Sequence, residues 1–283
     1  MPFIMIKPLK PISFRWGGEF SPALSGPMNR GVSEPLPLPS TIVGFLYSIT
    51  RGGGGRAAVG RLSIEDDLGT VGTRIWGPLL RIGDRYYAHS YPGRLIRLVN
   101  WALPADEAEQ EVDVDEVLGV VNRIGIGLRM DSKTAMEHMI YSQQLIKITN
   151  GGIIVEADVN VKEGYYTMGG EGSIVKVEVV DGVNPPEKGE RGLVLSPIIM
   201  EPASKVSSIE DILRNMEVKG CGRLNDIAVK VKVGLIGLGF NITYTVRRPI
   251  YPAIMPGSII NCGKRGNVGL FSGKGWGSIL PIP

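Results

Sequence analysis

The sequence pattern that most limits the fold is an alternation of apolar and polar residues, broken by short amphipathic segments. The alternation runs through IIVEADVNV (153–161), SIVKVEVV (173–180) and IAVKVKV (227–233). It predicts strands with one apolar face, as a sheet covered by helices on one side requires. The apolar faces hold Val175, Val177 and Val179 in the second strand and Val229, Val231 and Val233 in the third. The opposite face is open for ligands and holds Lys176, Glu178, Lys230 and Lys232.

Helical spacing predicts three short helices between these strands. The first, PSTIVGFLYSIT (39–50), places apolar residues at i, i+3, i+4 and i+7, has Ser40 as its candidate N-cap and is followed by glycines. The second is VDEVLGVVNR (114–123). The third is SSIEDILRNM (207–216), where Ser207 and Glu210 can form a capping box. Each apolar stripe is expected to face the core.

The order of these elements predicts an α+β fold in two parts. A chain of 283 residues favours two domains, because single cores tend to divide beyond about 100–200 residues. The first half runs strand, helix, strand pair (WGPLLRIGDRYYAHSYP, 76–92), helix and strand, which is a βαββαβ ferredoxin-like order. The second half begins afresh near Gly151, so we expect domains at 1–150 and 151–283.

Charge is distributed unevenly along the chain, although the net charge is only +3. Residues 227–283 contain seven cations and no acid, and residues 1–64 contain seven cations and two acids. The segment PADEAEQEVDVDE (104–116) holds seven acids and no cation, and we expect it on a different, solvated face. A polyanion bound by the two ends would explain this polarity, since clustered cations release counterions from phosphates. Chance clustering is the alternative.

Targeting and cysteine patterns predict a soluble, cytoplasmic protein without metal. The N-terminus has neither the basic region nor the apolar length of a signal peptide, and no apolar run reaches the roughly 18 residues of a membrane helix. Cys221 and Cys262 stand apart, without a CxxC motif or a nearby histidine. This spacing favours two reduced, packed thiols over a zinc site or a disulfide framework.

The glycine-rich C-terminal stretch GNVGLFSGKGWGSILPIP (266–283) does not match the common nucleotide-binding motifs. A P-loop requires Ser or Thr after its lysine, but Lys274 is followed by Gly275. The dinucleotide fingerprint opens a helix, whereas this stretch continues into the strand-like SILPI. ATP and NAD sites are therefore not expected, and no cofactor is predicted. The glycine-rich segments WGGEF and GGEG lack the second carboxylate of a two-metal site and are interpreted as turns.

Catalytic groups are sparse, because the chain has only two histidines, His89 and His138. Each is more often structural than catalytic when it stands alone. One enzymatic alternative remains open: Lys133, His138 and Tyr141 could form a metal-independent ribonuclease site that abstracts a 2′-hydroxyl proton.

Features typical of RNA binding are spread over several segments. Ser40 and Thr41 begin a predicted helix, where free N–H groups and the helix dipole favour a phosphate, and Arg15, Arg51 and Arg56 are near in sequence. In the C-terminal stretch, glycines let the backbone approach a sugar-phosphate chain. Phe271 or Trp276 could stack on a base, with Trp276 as a core residue being the alternative.

Six segments, taken in order, resemble the RAMP superfamily of CRISPR proteins. They are IKPLKPISFR, LPLPSTIVGFLYS, RIGIGLRMDSKTAMEHMIYSQQLIK, YTMGGEGSIVKVE, YPAIMPGSII and the glycine-rich end. Their order is most similar to that of the third subunits of type III-B Cmr effector complexes. The resemblance covers nearly the whole chain. Lys10, Ser13 and the Gly172–Ser173 pair depart from the family pattern.

This resemblance implies two ferredoxin-like units side by side and a non-catalytic, RNA-binding subunit that acts in antiviral defence. Such a subunit would grip the 5′ handle of the guide crRNA and contact the large polymerase-like subunit and the adjacent backbone subunits. Target RNA would be an indirect partner, and no membrane is implied. The RNA-facing residues carried over from the family are Ser40, Thr41, Arg129, Lys133, Met168, Gly169, Gly170, Glu171, Gly172, Lys264, Arg265, Gly273, Lys274, Gly275 and Trp276. Processing of the guide precursor by a metal-independent endoribonuclease is the alternative.

Overall fold

The structure is a computed structural model that describes residues 1–16, 30–50, 74–106, 109–169, 172–200, 216–238, 240–241, 246–247 and 250–283. It is a mixed α+β fold dominated by strands, as the sequence predicted. In these ranges, no helix has both the length and the apolar character needed to cross a membrane. The third predicted helix, 207–216, lies outside the described residues except for Met216.

An eight-stranded antiparallel sheet organises the first part of the chain. Its strands are β1 (Phe3–Pro8), β3 (Ile75–Ile82), β4 (Arg85–Ser90), β5 (Arg94–Leu98), β6 (Glu111–Asp113), β9 (Gly151–Ala157), β10 (Gly164–Met168) and β11 (Ser173–Val180). They lie in the order β10-β11-β1-β9-β3-β4-β5-β6. The sheet therefore continues past residue 150, where the sequence predicted a domain boundary. The division of the chain into two domains stays a prediction.

Helix α1 (Pro39–Thr50) covers one face of this sheet. Ile42, Phe45 and Leu46 are buried, which confirms the predicted apolar stripe, and they pack in one cluster with strand residues such as Ile6 and Ile153. The predicted N-cap is wrong by two residues. The carbonyl of Leu38 accepts the first intrahelical bond from the Ile42 N–H, and proline occupies the first helical position, where its missing N–H costs nothing.

The second predicted helix is mostly a strand. Only α2 (Val114–Val117) is helical, after which the chain turns extended and forms β7 (Gly119–Leu128). Strand β7 pairs with β8 (Ala135–Lys147) in a long hairpin, and the short β2 (Arg30–Gly31) runs parallel to β8. The β-branched residues of this segment suit a strand, and pairing with a distant segment outweighs a local helical pattern.

The C-terminal part forms smaller sheets. Its elements are β12 (Arg191–Val194), β13 (Ile198–Ile199), β14 (Glu217–Val218), β15 (Gly222–Arg223), α3 (Leu224–Ile227), β16 (Ala228–Lys230), β17 (Val233–Gly237), β18 (Phe240–Asn241), β19 (Val246–Arg247), β20 (Ile250–Ile254), β21 (Ile259–Ile260), β22 (Gly266–Asn267), a 3-10 turn (Ser272–Lys274) and β23 (Ser278–Ile282). Five strands form a sheet in the order β16-β21-β12-β23-β22, and β13-β20-β17 form another.

The three segments with alternating apolar residues fold in different ways. The first two become β9 and β11, and Val175 and Val177 are fully buried, although Val179 near the end of β11 is exposed. The third is not one strand, because it is divided among α3, β16 and β17, and its valines 229 and 233 are exposed. The predicted final strand SILPI is confirmed as β23, with all five residues buried.

The C-terminal part packs against the outer face of the first sheet, the face away from α1. Trp76 donates its indole N–H to the Ile279 carbonyl at 2.9 Å, and Leu79, Leu193 and Leu280 share one buried cluster. A polar contact joins the same two parts, because Lys232 Nζ donates to Ser90 Oγ at 2.6 Å and to Glu111 Oε1 at 3.0 Å. The acidic segment is therefore not wholly separate from the acid-free one, contrary to expectation.

Candidate nucleic-acid interface

The C-terminal glycines form a tight turn that opens onto a cavity. Phe271 adopts a left-handed conformation (φ 58°), Ser272–Lys274 form a 3-10 turn, and Gly275 is again left-handed (φ 84°). A cavity of about 240 Å³ is lined by Gly269–Lys274 and by Lys219. We call this the tail cavity. Two lysines and a glycine-rich backbone at one cavity suit an anionic group.

Lys219 is a candidate that sequence reasoning missed. It lies in the turn between β14 and β15, 55 positions before Lys274. Its carbonyl accepts a 2.8 Å hydrogen bond from the Gly269 N–H, which fixes the turn against the glycine-rich stretch. No motif joins Lys219 to Lys274, and Lys219 lies outside the acid-free segment 227–283, so nothing in the sequence drew attention to it.

Trp276 is a core residue, which corrects its assignment as an RNA-facing residue. It is fully buried and packs in one cluster with Leu38, Ile199 and Met255. A base cannot stack on a ring that has no exposed face. Glycine is required beside it, because Gly277 has a φ of 69° and a Cβ there would overlap the Val268 carbonyl.

Arg265 is also internal, which corrects a second RNA-facing assignment. Its guanidinium forms ion pairs with Glu156 and Glu187 and lies 4.5 Å from the centroid of the Trp76 ring. Its side chain is only 11% exposed, and that of Glu156 is 9% exposed. An arginine neutralised by two carboxylates has little attraction left for phosphate. Lys264, its neighbour, is exposed, but it lines neither the tail cavity nor the turn cavity defined below.

The start of α1 lies near the tail. Helix α1 contacts the 3-10 turn at one place and β10 at another, and Leu38, immediately before the helix, shares a cluster with Phe271 and Trp276. Ser40 and Thr41 are half-buried in the first turn of the helix. The structure thus brings two predicted segments together, the helix start and the glycine-rich end.

A second cavity unites Arg15 with the Met168–Gly172 turn. It measures about 230 Å³ and its lining includes Ser13, Arg15, Gln143, Gly169 and Ser173. We call it the turn cavity. The Gly172 N–H, just before β11, donates to the Gly169 carbonyl, just after β10, at 3.1 Å. Ser13 and Gln143 are polar lining residues that the sequence did not indicate.

Not every residue of this turn can face a ligand. The Met168 side chain is buried in the core beneath α1, which corrects its assignment as an RNA contact. Gly170, Glu171 and Arg51 lie outside the described residues.

Arg129 and Lys133 lie at the tip of the β7–β8 hairpin. Both are exposed, and the tip is closed by hydrogen bonds from the Arg129 N–H to the Thr134 carbonyl and from the Lys133 N–H to the Arg129 carbonyl. Exposed apolar residues accompany them, including Met130, which is 90% exposed. The hairpin tip is separate from both cavities in its lining residues.

The geometry does not support the ribonuclease alternative. Tyr141 of β8 pairs with Gly125 of β7, whereas Lys133 lies before the first residue of β8, Ala135. Tyr141 lies six residue steps along the strand from Ala135, which corresponds to about 20 Å. Lys133 and Tyr141 therefore cannot act on one scissile bond. The side chain of His138 lies outside the described residues.

His89 is a structural histidine. It is fully buried, and its Nε2 lies 2.9 Å from Glu34 Oε2, which also accepts a bond from the Gly93 N–H at 2.8 Å. Burial lowers the pKa of His89, against the opposing hydrogen bond and charge of Glu34. Trp16 packs edge-on against the ring at 4.5 Å. A neutral, enclosed imidazole has no route to a substrate. In the described ranges, no three His, Cys, Asp or Glu side chains are grouped to hold a metal.

The two cysteines are paired, which corrects the prediction of reduced thiols. The structure joins Cys221 and Cys262 in a disulfide, with their Cα atoms 6.0 Å apart. This Cα distance is typical of disulfides. The residues are 41 positions apart, and the fold brings the β14–β15 turn beside the end of β21. Sequence spacing alone cannot show such a pairing.

Comparisons with known proteins agree on one kind of relative. No family model matches the chain. The Cmr3 subunit of the CRISPR Cmr system of Saccharolobus solfataricus is 29% identical over 282 aligned residues, covering 91% of this chain and 85% of the relative.

Two solved structures are similar along nearly the whole chain. A chain of the type III-B Cmr-beta complex bound to cognate target RNA has a TM-score of 0.66 at 25% identity, with 92% of this chain and 86% of that chain covered. The same complex with target RNA and AMPPnP gives 0.65 at 24% identity, with coverages of 91% and 85%. These relatives and the shared fold confirm the resemblance found in the sequence. The chain is therefore similar, over nearly its whole length, to the Cmr3 subunit and to a chain of the type III-B Cmr-beta complex.

Proposed function

We propose that this chain is a non-catalytic, RNA-binding subunit of a type III-B CRISPR interference complex, where it grips the 5′ handle of the guide crRNA. It contacts the large polymerase-like subunit and the adjacent backbone subunits, and it meets target RNA only indirectly. The similarity to Cmr3 and to a chain of an RNA-bound Cmr complex supports this assignment.

The observation that carries the proposal is the tail cavity. Lys219 and Lys274 line it from segments far apart in sequence, and the glycine at position 273 leaves its backbone accessible. Helix α1 contacts the same turn. Charge-assisted contacts from lysines and unobstructed backbone are the means by which proteins hold a sugar-phosphate chain.

The turn cavity extends the proposed RNA surface. Arg15 is exposed, and it lines this cavity together with Gly169 and Gln143. Helix α1 contacts β10, which leads into this turn, as well as the tail turn. The proposed surface thus has two anchoring cavities, each formed in part by an element that contacts α1. Met168, Arg265 and Trp276 contribute by packing, not by contact with RNA.

The test is a double substitution, Lys219→Gln with Lys274→Gln, in the complex reconstituted with guide RNA. Loss of two phosphate contacts should weaken binding of the handle about tenfold or more and flatten its dependence on salt. Lys162→Gln with Lys188→Gln is the matched control, because both lysines are exposed and line neither cavity. Equal handle affinity in the two double variants would contradict the proposal.

The non-catalytic assignment has its own test. Guide-precursor RNA incubated with the purified chain, with EDTA and without it, should stay intact. Specific cleavage within the repeat would overturn the assignment and restore the ribonuclease alternative.

A further inference from the structure

One row of side chains crosses the outer face of the eight-stranded sheet. Register pairs place Tyr165 beside Lys176, Lys176 beside Lys7, Gly152 beside Arg81, and Arg81 beside Tyr86. Lys7 stands next to Gly152, since Ile6 pairs with Ile153 and the Lys7 Cγ lies 3.0 Å from where a Cβ of Gly152 would be. Directly paired residues point to the same face. We call this six-residue set the basic row: Tyr165, Lys176, Lys7, Gly152, Arg81 and Tyr86.

The basic row lies on the face away from α1. The residues next to it in each strand, such as Ile6, Ile153 and Val175, belong to the core beneath α1. Further along the outer face, Met5 and Ile154 are covered by Val183. The basic row lies beyond the part of the face that Val183 covers. Lys7, Lys176 and Arg81 are partly exposed, and Tyr165 is 67% exposed.

Glycines lie at the centre of the basic row because there is no room for a side chain there. Any side chain at Gly152 would collide with the Ile6 carbonyl and the Met5 side chain, and one at Gly151 would collide with the Arg81 carbonyl. Lys7 and Arg81 stand on either side, two strands apart, which is about 10 Å. A cavity of about 430 Å³ opens here, lined by both cations, by Asn150 and by the backbone at Gly83. None of the described residues that line it is acidic.

The charges of the row leave an excess of positive potential. Glu178 forms ion pairs with both Lys7 and Lys176, and their hydrogen bonds and charges hold the pKa of Glu178 below its usual value. Arg81 has no carboxylate among its described partners: its Nε donates to the Gly83 carbonyl at 2.9 Å and its guanidinium lies 5.7 Å from the centroid of the Tyr86 ring. Glu163 is a second carboxylate whose charge acts on Lys176, so three cations face two carboxylates.

We propose that the basic row is a binding site for single-stranded RNA, distinct from the handle-gripping surface. Cations that follow a line, with an exposed tyrosine at one end, suit a sugar-phosphate backbone and one stacked base. The row shares no residue with the tail cavity or the turn cavity. It does not depend on recognition of the 5′ handle, so the two proposals stand or fall separately.

The test measures fluorescence anisotropy of a labelled uridine oligoribonucleotide with the full-length chain over a series of salt concentrations. Lys7→Gln with Arg81→Gln should weaken binding about tenfold, and the slope of log affinity against log salt should fall by about 1.4. Tyr165→Ala should weaken binding by about fivefold to tenfold through lost stacking. Lys188→Gln with Arg191→Gln, a matched Lys and Arg pair in the C-terminal part, should bind as the unmodified chain does.

Thermal unfolding of each variant separates lost binding from lost folding, because all three target side chains are at least partly exposed. Equal affinity of the row variants and the control pair would overturn the proposal, as would failure of the unmodified chain to bind the oligonucleotide at low salt. Row variants that bind RNA normally but no longer assemble with partner subunits would also overturn it, since the row would then be a protein contact. Handle affinity in the reconstituted complex should respond to Lys219 and Lys274 and stay unchanged in the row variants.

Discussion

The acid-free segment 227–283 and the basic row are two positively charged regions that arise in opposite ways. The segment gathers seven cations within one part of the sequence, yet Arg265 turns inward to Glu156 and Glu187, while Lys274 lines a cavity. The cations of the row are residues 7, 81 and 176, and the sheet places them side by side. A run of charge in a sequence therefore does not identify a binding surface. Its members must also be free of internal carboxylates and lie on one face.

The largest expected effect tests whether the end of the C-terminal stretch is core. Trp276→Ala should lower the free energy of unfolding by about 3–5 kcal/mol, because it removes a fully buried indole and leaves a cavity. Urea unfolding followed by circular dichroism measures it. Trp276→Phe should lose less, since most of the packed volume is kept. A Trp276→Ala chain of normal stability with impaired RNA binding would return this residue to the interface.

A substitution at Arg265 tests whether this cation is internal, unlike the exposed cation beside it. Arg265→Gln should cost about 3 kcal/mol, because it leaves the buried Glu156 without its cation. Lys264→Gln, one position away and exposed, should change stability by less than about 0.5 kcal/mol. The same unfolding experiment compares the two. If both substitutions left stability unchanged, Arg265 would not be the internal cation that the structure shows.

The Glu34–His89 pair gives a pH-dependent test of whether His89 is buried as a neutral imidazole. Burial lowers the pKa of His89 in the folded chain, so the unfolded chain binds this proton first as pH falls below about 6.5. Stability present at neutral pH should therefore be lost toward pH 5, at up to about 1.4 kcal/mol per pH unit. The His89→Gln chain should show a shallower loss over this range. Parallel pH profiles for the two chains would contradict the assignment.

The smallest expected effect concerns the row. Glu178→Gln releases Lys7 and Lys176 from their shared carboxylate. Stability should change by less than about 1 kcal/mol, since these ion pairs are partly exposed to solvent and screened by it. Affinity for single-stranded RNA should rise by about twofold to fivefold as the net charge of the row increases. Anisotropy titration at low salt measures it, and reduced affinity would show that Glu178 orients the lysines for binding.

The parts of the fold that were predicted correctly are those whose cause is local. Helix α1 follows from its apolar spacing, and β9, β11 and β23 follow from apolar alternation or a short apolar run. The segment 114–123 was misread because its helical stripe and its β-branched residues favour different structures, and pairing with β8 decides between them. The Ser40 N-cap was misplaced because Pro39 takes the first helical position.

The residues of the candidate site also divide into those with a local sequence signal, which were identified, and those without one, which were missed or misassigned. Lys274 and Arg15 were identified from their charge and neighbours, and the structure places each at a cavity. Lys219, Ser13 and Gln143 were missed because nothing in the sequence connects them to those residues. Trp276 and Arg265 were assigned to RNA because an aromatic ring and a cation look the same in a sequence whether they are buried or exposed.

By itself, the sequence determined the strand-rich α+β character, the uneven charge, the absence of P-loop and dinucleotide motifs, and the similarity to RAMP proteins. The tertiary structure alone decided which charges are neutralised, which cysteines meet and which residues share a face. The physical reason is that burial, ion pairing and disulfide formation depend on distances between segments. Local propensities and periodicity carry no information about those distances, so Lys7, Arg81 and Lys176 become one surface only when β1, β3 and β11 join the same sheet.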